Sequence, residues 1–506
     1  MKYILTLSIF LGGHLLFCQP NTDIYIANLI TEGENVEAVN LFNLSKNKGY
    51  DNQPSFYKNN QLLYASTRNG QTDIALKVLG ESNTTWITNT SSGSEYSPVK
   101  IPTKNVISSI RLDTDGLQRL YDYDLSTGKS EPILEHAKIG YHVWYTKEVL
   151  VATVLNKNRM DLIVANLKEQ TLDTIYKNVG RSLHKIPNSE MVSFIAKDNG
   201  KNILNSIHPF NRKISKIIEL TNKSEDVSWL NDGTLLTGYG SMILKYNSKK
   251  DTNWVGMVNF KDQDITNISR LAVNASNTKL ALVAEESPKT IVQRQVETFN
   301  ARDLDAFVDN YSNSVLVQKF PNDTLYVGSK VMKDSYRRFY AKTPEIKVSV
   351  ESRIVMGTTV IDKELVTKGN KSHHQIAIYK VESGRISSMT FIHHKRVDTD
   401  VEKVVQDQLD AYNARNIEDF LKTYADNVKV YNFPNELQFE GLDKMDEQYG
   451  NFFESTPDLN CELKNRMVLG NKVIDEEFIT MNGNKFSAVA IYEVENDKIT
   501  KVTFIR

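Results

Sequence analysis

Two arginine–aspartate pairs stand 113 positions apart in this chain: Arg353 with Asp362, and Arg466 with Asp475. A two-residue turn at Gly470-Asn471 sets Arg466 opposite Asp475 on a hairpin, and Lys464 opposite Glu477; a turn at Gly357-Thr358 sets Arg353 opposite Asp362. A cross-strand ion pair pins register and contributes up to about 1 kcal/mol when exposed. At a cavity mouth the same pair is a polar contact for an acidic ligand. Arg353, Asp362, Arg466 and Asp475 are therefore the candidate ligand-binding residues. Histidines form a second cluster, His373-His374 and His393-His394. Neighbours on a strand point to opposite faces, so each pair supplies at most one inward imidazole. Two inward imidazoles from adjacent strands suit proton transfer or a metal. Asp362, His374 and His393 are the candidate acid–base residues. The positions 113 later hold Phe486-Ser487 and Arg506, so the second copy lacks the histidines.

Other chemistry is not written here. Residues 22–288 contain no G-x-S-x-G, no H-E-x-x-H and no phosphate-binding glycine loop. Asp113-Thr114-Asp115-Gly116 starts like a calcium loop but lacks the closing glutamate, so it is read as a turn. Cys18 and Cys461 are too few for a disulfide scaffold or a Cys-rich zinc module. No metal or cofactor is assigned. The formal charge of −1 gives no basic surplus for nucleic acid or anionic lipid. Hydrophobic residues at 40% and charged residues at 24% exclude a disordered chain and a multi-span membrane protein.

The first 19 residues carry Lys2 and an apolar run through Phe17, the pattern of a secretory signal peptide. Export to the periplasm or the medium is expected. Leu15-Leu16-Phe17 lacks the small residues that precede a lipidated cysteine, which favours cleavage after Cys18 or Gln19 over anchoring through Cys18. No later run is long and apolar enough to span a membrane.

The elements that must position these residues come in two repeats. In residues 22–288, short β-rich runs begin at Leu62, Val106, Val149, Met191, Leu235 and Leu280, at intervals of 42 to 45. Each follows a polar turn, and another short strand precedes that turn, as in Val227-Ser228-Trp229-Leu230. About four short strands per 40–45 residues is the size of a propeller blade. The segment 22–29 reads as a strand that pairs with the last blade, around 271–284, and closes the ring. Trp144 and Trp229 precede turns and are read as blade-to-blade packing.

Residues 290–395 and 400–506 are one domain written twice. Asn300-Ala301-Arg302 matches Asn413-Ala414-Arg415, Phe320-Pro321-Asn322 matches Phe433-Pro434-Asn435, and Ile378-Tyr379 matches Ile491-Tyr492, all at the same offset of 113. The second copy reads helix, helix capped by Asn416, strand, helix, then a meander of four strands. The expected fold class is a multidomain chain: an all-β six-bladed propeller followed by two α+β cone-shaped domains.

Two family resemblances follow from these residues. Ser66-Thr67-Arg68-Asn69-Gly70 with Asp73-Ile74, and Asp23-Ile24-Tyr25, resemble the S-x-R-x-G and D-I-Y strands of TolB-like six-bladed propellers. That implies an interaction scaffold, with a protein or another cell-envelope component as partner. The duplicated part resembles the SnoaL-like branch of the nuclear-transport-factor-2-like superfamily, through its N-A-R motif, the glycines 328 and 441, and Val360-Ile361-Asp362 with Val473-Ile474-Asp475. That implies cones that hold small apolar ligands, mediate association, or perform acid–base chemistry. Steroid-isomerase relatives place an aspartate where this chain has Asn432-Phe433 and Lys319-Phe320, and a tyrosine where it has Gln408 and Gln295. The chain looks unlike that isomerase. The leading expectation is an exported, non-catalytic binding protein; the alternative is a SnoaL-type cyclase, isomerase or hydratase-like enzyme working in one cone.

Overall fold

The computed structural model describes residues 21–505 apart from 33, 34, 48, 92, 222 and 223. The signal-peptide reading of residues 1–19 and the fate of Cys18 lie outside the described residues. The chain divides into two compact units, Met1–Glu286 and Ser287–Arg506.

Among the described residues the first unit holds six four-stranded antiparallel sheets. Every β-rich run of the repeat forms the second strand of a sheet, from Gln61–Arg68 in blade one to Lys279–Glu286 in blade six. Both faces of each sheet are apolar, so each blade packs on the next. Leu63 and Ile74 meet Ile107 and Tyr123 between blades one and two. Ile110 meets Trp144 and Leu150 between two and three. Val151 and Val164 meet Phe194 between three and four. Ile195 and Leu204 meet Val227 and Leu235 between four and five. Leu236 and Ile243 meet Leu271 and Leu282 between five and six. Ile24 and Val283 meet Leu62 and Tyr64 where six returns to one. Trp144 and Trp229 also donate their indole N–H to Ser108 and Ser193 of the preceding blade, at 2.8 and 3.0 Å.

Ring closure uses more of the N-terminus than the sequence suggested. Asp23–Glu32 pairs with Lys279–Glu286, and Asn35–Asn43 adds a further strand outside it. Blade six therefore takes two strands from each end of the unit. The S-x-R-x-G run is a hairpin staple. Arg68 donates to Asp73 at 3.1 Å and lies over the Trp86 ring, while Gly70 turns the chain at φ +83°.

In the second unit each copy forms a six-stranded sheet over three helices. The first copy orders its strands Asp323–Val327, Tyr311–Lys319, Arg385–Ile392, Lys371–Glu382, Thr359–Lys368, Ile346–Met356. The second copy repeats that order. Only the pairing of Tyr311–Lys319 with Arg385–Ile392, and its equivalent, is parallel. Ser287, Asp303, Asp400 and Asn416 cap the helices that follow them. The N-A-R motifs are scaffold. Asn300 exchanges two hydrogen bonds with the Val348 backbone, and Asn413 does so with Cys461. Arg302 donates to the carbonyls of Tyr340, Thr343 and Pro344, closing the end of the third helix.

The two sheets share one apolar cluster. Ile354, Ile361, Ile376, Ile378 and Ile392 pack with Met467, Ile474, Val489, Ile491 and Ile505, which are their counterparts 113 later. Phe320 and Phe433 stack beside them, with centroids 6.1 Å apart. A fragment of residues 400–506 would expose its half of this cluster. It should self-associate through that face, running as a dimer in size-exclusion chromatography with light scattering. Ile491→Lys should reduce that dimer to a monomer. A fragment that is monomeric without the substitution would show that the shared cluster is dispensable.

Candidate functional site

Each copy leaves a cavity between its helices and the inner face of its sheet, about 660 Å³ in the first and 510 Å³ in the second. The walls are apolar and largely aromatic. Phe299, Tyr336, Phe339 and Phe391 line the first, and Tyr412, Tyr449, Phe452 and Phe504 line the second.

At the base of each lies the same polar group. Glu364 is 2% exposed and accepts hydrogen bonds from the Tyr379 hydroxyl at 2.7 Å and from Gln375 at 2.6 Å. Gln295 hydrogen-bonds the buried Tyr311 hydroxyl, and its Oε1 is enclosed without a partner. In the second copy Glu477 accepts from Tyr492 at 2.9 Å, and Gln408 bonds Tyr424 and likewise has an enclosed, unpartnered Oε1. Gln, Tyr, Glu and Tyr thus recur at an offset of 113. Burial raises the Glu364 carboxyl from 4.5 to about 7, while its two donors pull the other way. Burial pushes the Tyr311, Tyr379, Tyr424 and Tyr492 hydroxyls well above their ordinary value, so all four stay neutral donors. The Cys461 thiol, which lines the second cavity, is also pushed up by burial and stays protonated.

The residues singled out in the sequence lie elsewhere. Arg353 faces Asp362, and Arg466 faces Asp475, each through two parallel hydrogen bonds of 2.6 to 2.8 Å. The remaining arm of each arginine reaches the first helix of its copy, at Gln293 and at Gln406. These pairs clamp sheet to helix and line neither cavity. Lys464 does not face Glu477. A bulge at Lys464 shifts the register so that Leu463 does, and the first copy carries the same bulge at Glu351. The bulges lie on the neighbouring strands; Glu364 and Glu477 stand two residues beyond each aspartate on strands whose alternation is unbroken, so they share its inward face and reach the cavities. His374 points outward, 3.1 Å from Glu351, while its neighbour His373 lines the first cavity. His393 lies against Phe320 and Lys501, away from both cavities. Asp362, His374 and His393 are therefore not brought together. The sequence offers Glu477 only as a cross-strand partner for Lys464 and does not single out Glu364, although the two match at the same offset. Tyr379 and Tyr492 were visible in the repeat, but only as markers of it. Among the described residues, no group of three or more His, Cys, Asp and Glu side chains is placed to hold a metal ion.

The family model for SnoaL-like domains matches residues 292–389 and 405–502. None of the curated proteins matches the chain significantly. Among solved structures, an uncharacterised cystatin-fold protein from Novosphingobium aromaticivorans is 23% identical over 21% of this chain and 99% of its own, with a TM-score of 0.21. A putative ketosteroid isomerase from Kribbella flavida is 16% identical over 22% of this chain and 81% of its own, with a TM-score of 0.19. TolB from Acinetobacter baumannii is 10% identical over 52% of this chain and 64% of its own, with a TM-score of 0.36.

Two outcomes follow from the site. Asp475 is 2% exposed, so Asp475→Asn strands a buried guanidinium and should cost about 3–5 kcal/mol in stability. A double-mutant cycle with Arg466→Met should then return a coupling well above the value for an exposed pair. Glu364 has its folded pKa above its unfolded one. The unfolded chain gives up this proton from about pH 4.5, while the folded chain keeps it to about 7. The carboxyl therefore costs nothing at low pH, and stability falls as pH rises through that window, by about 3 kcal/mol in all. Glu364→Gln should remove that slope in urea melts between pH 4 and 8. Wild type and variant with parallel pH profiles would refute the assignment.

Proposed function

We propose that this chain, a TolB-like six-bladed propeller followed by two SnoaL-like domains, is an exported binding protein whose two cones each hold a small, mainly apolar ligand by one polar group. The observation that carries the reading is the duplicated cone. An aromatic wall ends, in both copies, on a buried glutamate that accepts a hydrogen bond from a tyrosine. An apolar wall supplies affinity through area removed from water, and the few polar groups at the base fix orientation. The propeller acts as the interaction scaffold, for a protein or another cell-envelope component. The pattern of residues 1–19 supports export to the periplasm or medium. The proposed domain limits are 22–288, 290–395 and 400–506.

A specific observation favours a second reading in the first cone. A carboxyl with its pKa near 7 is poised to give or take a proton at neutral pH, which is what general acid–base catalysis requires. In that reading Glu364 is the proton carrier and Tyr379 orients it.

The neutral fluorophore N-phenyl-1-naphthylamine tests the first reading on the full-length chain, after native mass spectrometry for any co-purified small molecule. Two sites per chain are expected. Phe339→Asp, at the wall of the first cavity, should lower occupancy of one site by about tenfold or more through the charge it places among apolar groups. No fluorophore bound and no small molecule co-purified would overturn the binding reading. Turnover of a bound compound that Glu364→Gln abolishes without releasing the compound would establish the second.

A further inference from the structure

The first unit holds a charged cluster that the cones do not use. Six side chains, Tyr50, Tyr96, Tyr141, Arg181, Asp226 and Arg270, lie close enough to act on one another electrostatically, one from each successive blade. Their spacing of 40 to 46 residues is that of the blade repeat. Two guanidiniums therefore face a single carboxylate. Arg270 takes most of that carboxylate's attention. It lies 3.8 Å from the Asp226 carboxylate and donates to the Tyr141 hydroxyl at 3.2 Å. The other Asp226 oxygen accepts from the Leu271 backbone at 3.0 Å.

Arg181 is left over. One arm donates to the Ser269 carbonyl at 2.7 Å, but its Nε–H is enclosed and finds no acceptor, and Arg181 has no ion pair among the described residues. The loss of water, and after it the proximity of Arg270, disfavours its charge, and Asp226 and Glu225 offset this only in part. A half-buried cation without an ion pair is thus incompletely compensated. Arg181 lines a cavity of about 410 Å³ between blades four, five and six. The Thr221 hydroxyl lines the same cavity and is also enclosed without a partner. The acid in the wall, Glu225, is already paired with Lys197. Two residues with a donor that lacks an acceptor, one of them an incompletely compensated cation, thus line one small space.

We propose that this cavity is a binding site for an oxyanion, a carboxylate or phosphate group, received by the Arg181 guanidinium and the Thr221 hydroxyl. A planar guanidinium edge matches either group, and the anion supplies the charge that Asp226 does not. The site is independent of the cones and of what they bind.

Calorimetric titration and thermal melts of the full-length chain with sodium succinate and with inorganic phosphate, at ionic strength held constant with sodium chloride, test this. At least one of the two anions should bind and raise the melting temperature relative to chloride. Response to phosphate alone assigns a phosphorylated ligand, and response to succinate alone assigns a carboxylate. Arg181→Gln should weaken binding about ten- to a hundredfold. In anion-free buffer it should melt no lower than the wild type, because it removes an incompletely compensated charge. Thr221→Val should weaken binding several-fold with an unchanged melt, and it decides the matter if Arg181→Gln fails to fold. The proposal is overturned if neither anion acts differently from chloride, or if Thr221→Val binds as tightly as the wild type.

Discussion

Every sheet of this protein is apolar on both faces, and none can be stable with either face in water. That constraint orders the rest. In the first unit it forces the sheets into a ring, where each face is covered by the next blade, and it requires that the ring close. Closure comes from Asp23 to Asn28 pairing with Ala284 to Lys279, so the earliest described strand completes the last blade. In the second unit the same constraint is met differently. One face of each cone sheet is spent on the sister sheet through Ile361, Ile378, Ile474 and Ile491. The other face curves over three helices that do not fill it, and what is left is the cavity.

The polar groups enclosed by these apolar surfaces divide by how their charge is handled. Burial pushes the Asp362 and Asp475 carboxyls up in pKa, and a guanidinium that meets both oxygens of each pulls the other way. A pair satisfied on all sides is a structural clamp and has little left to offer a ligand. Glu364 has no cation, so burial shifts it toward the neutral form and it remains available as a donor or an acceptor. Arg181 can take neither course. A guanidinium does not give up its proton near neutral pH, and the carboxylates near it, Asp226 and Glu225, are paired with Arg270 and Lys197. Charges that are satisfied, neutralised or only partly answered thus differ in what they leave for another group to supply.

Much of the architecture was legible because it repeats. The β-rich runs at intervals of 42 to 45 became the second strand of every blade, and the 113-residue offset became two sheets of one topology. Register was legible only as far as the turn that fixed it. Counting from Gly470-Asn471 places Arg466 against Asp475, and the bulge one pair further on then moves every later residue by one. Nothing in Leu463-Lys464-Asn465 announces that bulge. It changes which residues of Asn460–Leu469 lie opposite Glu477 and leaves Asp475 and Glu477 themselves on one face. The histidines misled for a related reason. Which of His373 and His374 faces inward depends on strand parity, and a single residue of register decides it. The second added strand, Asn35–Asn43, lies at the edge of its sheet with only Val36 and Ala38 buried, so it has little of the inward pattern that marks the other strands.

The two copies also differ where a ligand would enter and agree where it would end. At the base, Gln295, Tyr311, Glu364 and Tyr379 answer residue for residue to Gln408, Tyr424, Glu477 and Tyr492. On the cavity lining, the exposed Leu325 of the first copy answers to Gln438 of the second. Elsewhere on the wall the contrast reverses: His373 and Gln375 of the first copy answer to Phe486 and Ala488 of the second. Gln375 is one of the two donors on Glu364, so its replacement by alanine changes how firmly the carboxyl is held. Under the proposed binding reading, a shared base with differing walls offers the two cones one mode of holding a polar group and different surroundings for the rest of a ligand.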